Sequence, residues 1–320
     1  MVAVGYTLLC EQSGPTELID YAVRAEEAGF DQLLISDHYN PWLTEQGHCP
    51  YTWSVLGAVA HATGRIELMT YSTCPIRRYH PAVVAQKAAT IGVISQGRFT
   101  LGLGAGENLN EHVVGAWPHV AQRHEMFEEA VQIIRPLLDG EVLSFSGNHY
   151  EVPEAYLWDR PERPVPMAMA ASGPESCRLA GEYADGLIAV QPEPRLGEMF
   201  DRAGGAGKPR YGQLAVCYGT DEAHCRQVVY DQWRWFGLGW KVMAELPEPH
   251  SFAAASQFVR EEDVAASVPC GPDVDAHVAA FKKFVDAGFT HVGLVQVGNG
   301  GQREFLDWAG RELLPRLRRL

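Results

Sequence analysis

The chain has 320 residues, 46% of them hydrophobic and 21% charged, with a formal net charge of −14. That length and apolar content suit a globular protein with a large core, built either as two average domains or as one α/β barrel. The acidic balance argues against nucleic acid or an acidic membrane as partner, because both select basic patches.

Seven cysteines, at 10, 49, 74, 177, 217, 225 and 270, are odd in number and contain no Cys-x-x-Cys pair. Free thiols in a reducing cytoplasm are expected. No basic leader opens the sequence, and no stretch approaches the roughly 20 apolar residues that span a bilayer. An intracellular protein in solution is the expectation.

In chain order, residues 3–9 form the first expected strand, and a helix opens at Gly14-Pro15-Thr16-Glu17 with Leu18, Ile19, Ala22 and Val23 at helical spacing. Leu33, Leu34 and Ile35 follow the turn Ala28-Gly29-Phe30-Asp31 and read as a buried parallel strand. A helix over about 51–63, a strand at 66–72, a helix from Pro81 to Ile94 and a strand at 98–104 continue the alternation. The middle carries a helix at about 121–138 and a hairpin over 142–152 turning on Gly147-Asn148. Strands at 165–170, 186–190, 213–218 and 292–297 complete eight, with a Trp- and Pro-rich cap between the last two at 230–270. Ala28-Gly29-Phe30 recurs as Ala287-Gly288-Phe289 before the eighth strand, a repeated helix stop. Eight such units predict an α/β fold, a (β/α)8 TIM barrel forming one domain over 1–320, with insertions at about 105–160 and 230–270.

Sites of such barrels lie where strands run out into loops. Asp37, His38 and Trp42 follow the second strand, as a general base with an orienting partner and an aromatic wall, or as a polar turn whose Asp caps a helix. After the fourth strand, Gly102-Leu-Gly-Ala-Gly106 either brings backbone close to a flat ligand or serves packing at a barrel corner, with Glu107 and Asn110 behind it. Ala171-Ser172-Gly173-Pro174 opens a helix whose N–H groups would suit a phosphate or simply a cap. Arg77 and Arg78 would pair with a substrate acid or with acidic neighbours, and Glu11 falls at the same barrel end. No His-Glu-x-x-His helix, Gly-x-Ser-x-Gly elbow or Gly-Lys-Ser/Thr loop occurs, so no metal, hydrolase or nucleotide-hydrolysis site is expected.

Taken in order, Ser36-Asp-His-Tyr-Asn-Pro-Trp42, Arg78-Tyr-His-Pro-Ala-Val-Val-Ala-Gln86, Gly104-Ala-Gly-Glu-Asn-Leu-Asn-Glu111, Gly115-Ala-Trp-Pro118, Ala171-Ser-Gly-Pro174 and Pro315-Arg-Leu-Arg-Arg-Leu320 resemble the luciferase-like superfamily of flavin and deazaflavin barrels. They look most like its coenzyme F420-dependent glucose-6-phosphate dehydrogenase subfamily. The resemblance implies His38 as the base for the substrate hydroxyl proton, Trp42 against the reacting centre, Glu107 as the acid at N1 of the reduced deazaflavin, and Glu11 near the reaction. It also implies that Asp37, the backbone at Tyr71 and Ser72, Cys74 and Asn110 hold the deazaflavin, that Ala171, Ser172 and Gly173 hold its phosphate, and that Tyr71-Ser72 is a cis peptide. A homodimer is a further family expectation. An imidazole with an ordinary pKa of about 6.5 suits the base role near neutral pH.

The likeness breaks at two of three basic positions. Glu193 stands where the sugar-phosphate dehydrogenases place a lysine, Ala266 where they place an arginine, and Lys241 lies near the remaining basic position. An uncharged or differently charged substrate is therefore expected, acted on at an alcohol, hemiacetal or carbonyl carbon. The competing expectations are an FMN-dependent monooxygenase of the same superfamily and a barrel that binds without catalysing.

Overall fold

The structure, a computed structural model, describes residues 2–320. Ten strands run in chain order: β1 (Ala3–Leu8), β2 (Gln32–Ile35), β3 (Glu67–Thr70), β4 (Phe99–Leu103), β5 (Leu143–Ser146), β6 (Glu151–Ala155), β7 (Met167–Ala170), β8 (Gly186–Ile188), β9 (Arg210–Val216) and β10 (His291–Gln296). All but β5 and β6 pair in parallel and close on themselves in the order β1-β10-β9-β8-β7-β4-β3-β2. This is the expected (β/α)8 barrel. β9 starts three residues before the expected strand, because Arg210 and Tyr211 pair with β8 while the Arg210 guanidinium reaches out to Asp201.

The helices that separate the strands bury one face each. α1 (Pro15–Ala28) starts where Glu17 accepts from the Gly14 N–H and ends at left-handed Gly29; Leu18, Tyr21, Ala22 and Ala25 face the barrel. α2 (Thr52–Ala62) and α3 (Pro81–Ile94) follow β2 and β3, with Pro81 at the first helical position of α3. After β4 the chain leaves the rhythm. It makes one turn, α4 (Asn108–Glu111), then the long α5 (Val120–Asp139), then the antiparallel β5–β6 hairpin around Gly147–Tyr150. α6 (Pro174–Tyr183) and α7 (Pro194–Phe200) restore it.

After β9, α8 (Glu222–Trp233) leads into short helical pieces over 234–238, 240–243, 249–255 and 261–265 before the helix Val274–Asp286. These pieces cover the strand ends. Their Trp235, Met243, Phe252 and Val264 share one buried cluster with Leu9, Trp42, Leu43 and Leu109 from the loops after β1, β2 and β4. Inside the barrel Met69, Ala168, Ile188 and Tyr211 meet, with Tyr71 and Ala170 above them. Among the described residues no helix is long and apolar enough to cross a membrane, and no group of three or more His, Cys, Asp or Glu residues is arranged to hold a metal ion.

Candidate active site

β1 and β2 are adjacent, so the residues that follow them meet. Glu11 is fully buried and His38 is 9% exposed, with Nδ1 2.9 Å from Glu11 Oε1. The ring N–H is bent off the line to Oε1, and neither atom has another hydrogen-bond partner, so the contact is an ion-pair approach more than a directed bond. Ser36 Oγ donates to Glu11 Oε2 at 2.7 Å and accepts from the Cys10 N–H at 3.2 Å, fixing the carboxylate. Burial alone raises the Glu11 carboxyl, but the facing imidazole and the Ser36 hydroxyl outweigh it and hold it below the usual carboxylate range. Burial alone lowers His38; the Glu11 carboxylate, with a smaller contribution from Glu107, outweighs that and raises it. His38 Nε2 meets no protein hydrogen-bond partner among the described residues.

Asp37 points the other way, into the protein. Its Oδ2 accepts from Trp53 Nε1 at 3.0 Å and Thr73 Oγ1 at 2.8 Å, and its Oδ1 from Tyr79 OH and Arg78 Nη2, both at 3.2 Å. Arg78 Nη2 also donates to the Asp37 carbonyl at 2.6 Å. Four donors fill a carboxylate's lone-pair sites, so this side chain holds the loop that carries His38. Arg78 therefore resolves as an arginine tied to acidic neighbours, while Arg77 is exposed. The second neighbour is Glu111, which accepts from the Arg78 backbone N–H at 2.8 Å and faces Nε at 3.4 Å. Burial pushes the Glu111 carboxyl up to about 7, against the pull of Arg78. The guanidinium's closer contacts go to Asp37, which is why burial wins at Glu111.

The three glycines at the end of β4 and just beyond it, Gly102, Gly104 and Gly106, are closely packed. A side chain at Gly102 would overlap the Thr70 carbonyl oxygen, and one at Gly106, whose φ is +81°, would overlap Cys74 Sγ. The β3 and β4 loops can therefore touch, with Tyr71–Ser72 cis as expected. Tyr71 OH donates to the Tyr211 carbonyl at 3.3 Å, and Cys74 is buried beside Gly106. Glu107 is half-buried at the start of α4. Asn110 joins it to the His38 loop: Nδ2 donates to Glu107 Oε2 at 3.3 Å, and Oδ1 accepts from the N–H groups of Tyr39 at 2.8 Å and Asn40 at 3.3 Å.

Trp42 closes the far side. Its ring lies edge-on to His38 at 5.0 Å and stacks on Trp235 at 4.1 Å and 7°, with Phe252 edge-on at 5.2 Å. At the start of α6 the N–H groups of Ser172 and Gly173 both point at Ser176 Oγ, at 3.1 and 3.2 Å, and Ala171 is buried behind them. Two donors converging on one oxygen is the arrangement that a phosphate oxygen takes. Glu193 and Lys241 are exposed.

A cavity of about 530 Å³ lies elsewhere, between Tyr218, His224, Gln296 and Asn299 at the ends of β9 and β10. None of the expected site residues lines it. The buried ionisable pair, and not this cavity, marks the candidate site, since volume alone moves no proton.

Sequence reasoning did not assign Ser36, Glu111, Trp235 or Phe252. Ser36 and Glu111 sit inside stretches that were informative as strings, but a hydroxyl or carboxylate acquires its partner only when two loops meet. Trp235 and Phe252 carried one signal, the aromatic density of 230–270.

The luciferase-like monooxygenase family pattern matches residues 3–291. The chain is 37% identical to an F420-dependent glucose-6-phosphate dehydrogenase of Nakamurella multipartita, covering all of this chain and 97% of that one. It is 36% identical to the enzyme so named from Microbacterium testaceum, covering 98% and 97%. Among solved structures it is similar to an F420-dependent secondary alcohol dehydrogenase in complex with an F420-acetone adduct, with a TM-score of 0.90, 28% identity and 99% of both chains covered. The fold is shared with the coenzyme F420-dependent tetrahydromethanopterin reductase of Methanopyrus kandleri, with a TM-score of 0.78, 22% identity and 99% of both chains covered. On the matched pattern and on full-length relatives above 30% identity, the chain belongs to the luciferase-like monooxygenase family.

Proposed function

We propose that this chain is a coenzyme F420-dependent oxidoreductase acting on a CH–OH group, with His38 as the group that takes or returns the hydroxyl proton. The observation that carries this reading is the buried Ser36–Glu11–His38 series, which sets a carboxylate oxygen 2.9 Å from Nδ1 and leaves Nε2 without a protein partner. The relatives' names supply the cofactor. The bound deazaflavin supplies a hydride acceptor or donor at C5. Neutral His38 accepts the hydroxyl proton at Nε2, and the Glu11 carboxylate stabilises the imidazolium that forms. Glu107, oriented by Asn110, would be the acid that serves N1 of the reduced deazaflavin. Trp42, backed by Trp235 and Phe252, walls the reacting carbon from water.

The Tyr71–Ser72 backbone and Cys74 line the cofactor side, and Ala171, Ser172 and Gly173 are the phosphate end, with Ser176 Oγ standing where a phosphate oxygen would. Asp37 we assign to positioning, since its carboxylate is fully engaged by protein donors. An aromatic wall, with Glu193 and Ala266 in place of basic residues, favours an uncharged alcohol or its carbonyl product over glucose 6-phosphate. On the same reading the chain is one barrel domain with two excursions, works in the cytoplasm with its thiols free, and pairs as a homodimer, which sedimentation would check.

The test is an absorbance titration of the protein with oxidised F420 and, separately, with FMN. Micromolar or tighter binding of F420 is expected, and binding of FMN alone would refute the assignment. A panel of secondary alcohols, sugars and sugar phosphates then reads the substrate class, and His38→Ala is expected to abolish turnover while leaving cofactor binding intact.

A further inference from the structure

We propose that Arg123 is a positioning residue for this reaction: it holds the cap over the site through Glu245, and the same cap segment anchors the helical turn that presents Glu107. The inference rests on placing Glu107 and Trp42 at the reaction site.

Arg123 is an unusual buried cation. It is 5% exposed at the start of α5, its guanidinium lies 4.4 Å over the Trp117 ring, and Nη2 donates to Glu245 Oε1 at 2.7 Å. Glu245 belongs to the cap, and its side chain is 54% exposed. The adjoining cap backbone is gripped from the barrel side by the residue that follows Glu107. The Asn108 N–H donates to the Ala244 carbonyl at 3.0 Å, and Asn108 Nδ2 to the Glu245 carbonyl at 2.9 Å. α4 is thus a four-residue bridge. Its start binds the cap, and its Asn110 binds the His38 loop.

Arg123 Nη1, Trp117 Nε1 and Asn108 Oδ1 are buried with no protein hydrogen-bond partner, so the polar hold on this corner of the cap comes from the Glu245 pair and the two Asn108 hydrogen bonds, alongside the apolar cluster around Trp42.

The experiment uses Glu245→Gln, at a half-exposed position where the change leaves the fold intact, together with the exchanged pair Arg123→Glu/Glu245→Arg. Hydrogen exchange on the free protein is expected to speed up at 107–111 and 240–248 in Glu245→Gln and to leave the barrel strands unchanged. With the alcohol that the panel identifies, KM is expected to rise about fivefold with kcat within twofold, F420 affinity is expected to stay within twofold, and the exchanged pair is expected to recover KM to within twofold of wild type. Wild-type exchange at 107–111 and 240–248 in Glu245→Gln overturns the proposal. So does an unchanged KM. The exchange measurement needs no turnover, so it stands even if the assigned reaction fails.

Discussion

Glu111 offers a quantitative test of how burial and charge compete beside the candidate site. The side chain is 1% exposed, and its pKa is pushed from 4.5 to about 7 by burial, with Arg78 opposing. A carboxyl whose folded pKa lies above its unfolded one binds more protons when folded. Its contribution to stability is complete below pH 4.5 and is lost as pH rises through about 7. At 1.36 kcal/mol for each pH unit, the loss over that interval comes to about 3 kcal/mol. Glu111→Gln keeps an oxygen for the Arg78 N–H and cannot ionise, so it stands in for the protonated form. Urea unfolding of both proteins at several pH values should show the variant gaining on wild type by about 3 kcal/mol between pH 4.5 and pH 8. A difference that stays flat would show that Glu111 titrates normally. A wild type that gains on the variant as pH rises would show that Arg78, and not burial, governs this carboxyl.

Replacing Asp37 with Asn leaves the Arg78 guanidinium short of its main charge partner in a buried place, and a loss of about 3–5 kcal/mol in unfolding free energy is expected. Trp42→Ala removes a ring that stacks on Trp235 and meets His38 edge-on; denaturation should report about 3–5 kcal/mol of destabilisation, with a raised KM in the surviving protein. Glu11→Gln removes the charge that holds the His38 pKa up, so the acid limb of the pH–rate profile for alcohol oxidation should move to lower pH. The rate itself should fall roughly 10²-fold as the imidazolium loses its partner; a limb that stays in place would separate Glu11 from the base. Gly102→Ala drives a methyl into the Thr70 carbonyl, and a fall in thermal stability by about 1–3 kcal/mol or more should follow.

Apolar runs, helix stops and turn residues report which atoms bond locally and which face is buried, so the eight-unit barrel, a hairpin expected over 142–152 and found at 143–155, and the aromatic segment at 230–270 were legible in the chain. So were the candidate loops, because a barrel of this kind puts every strand's end on one rim. What a side chain meets on that rim was not legible. Glu11 reaches His38 because β1 and β2 are neighbours, and Arg78 divides itself between Asp37 and Glu111 because the β2, β3 and β4 loops converge. The glycines after β4 carried two meanings as letters, and the Thr70 and Cys74 contacts decided for packing. Periodicity is a property of neighbours along the chain, whereas a buried carboxylate–imidazole pair, a saturated carboxylate or a Trp42–Trp235 stack depends on the closure and register that bring distant loops together. The sequence by itself therefore determined the barrel and the rim that carries its candidate site, and the tertiary structure alone decided which of the rim's polar groups stay free and which hold the others in place.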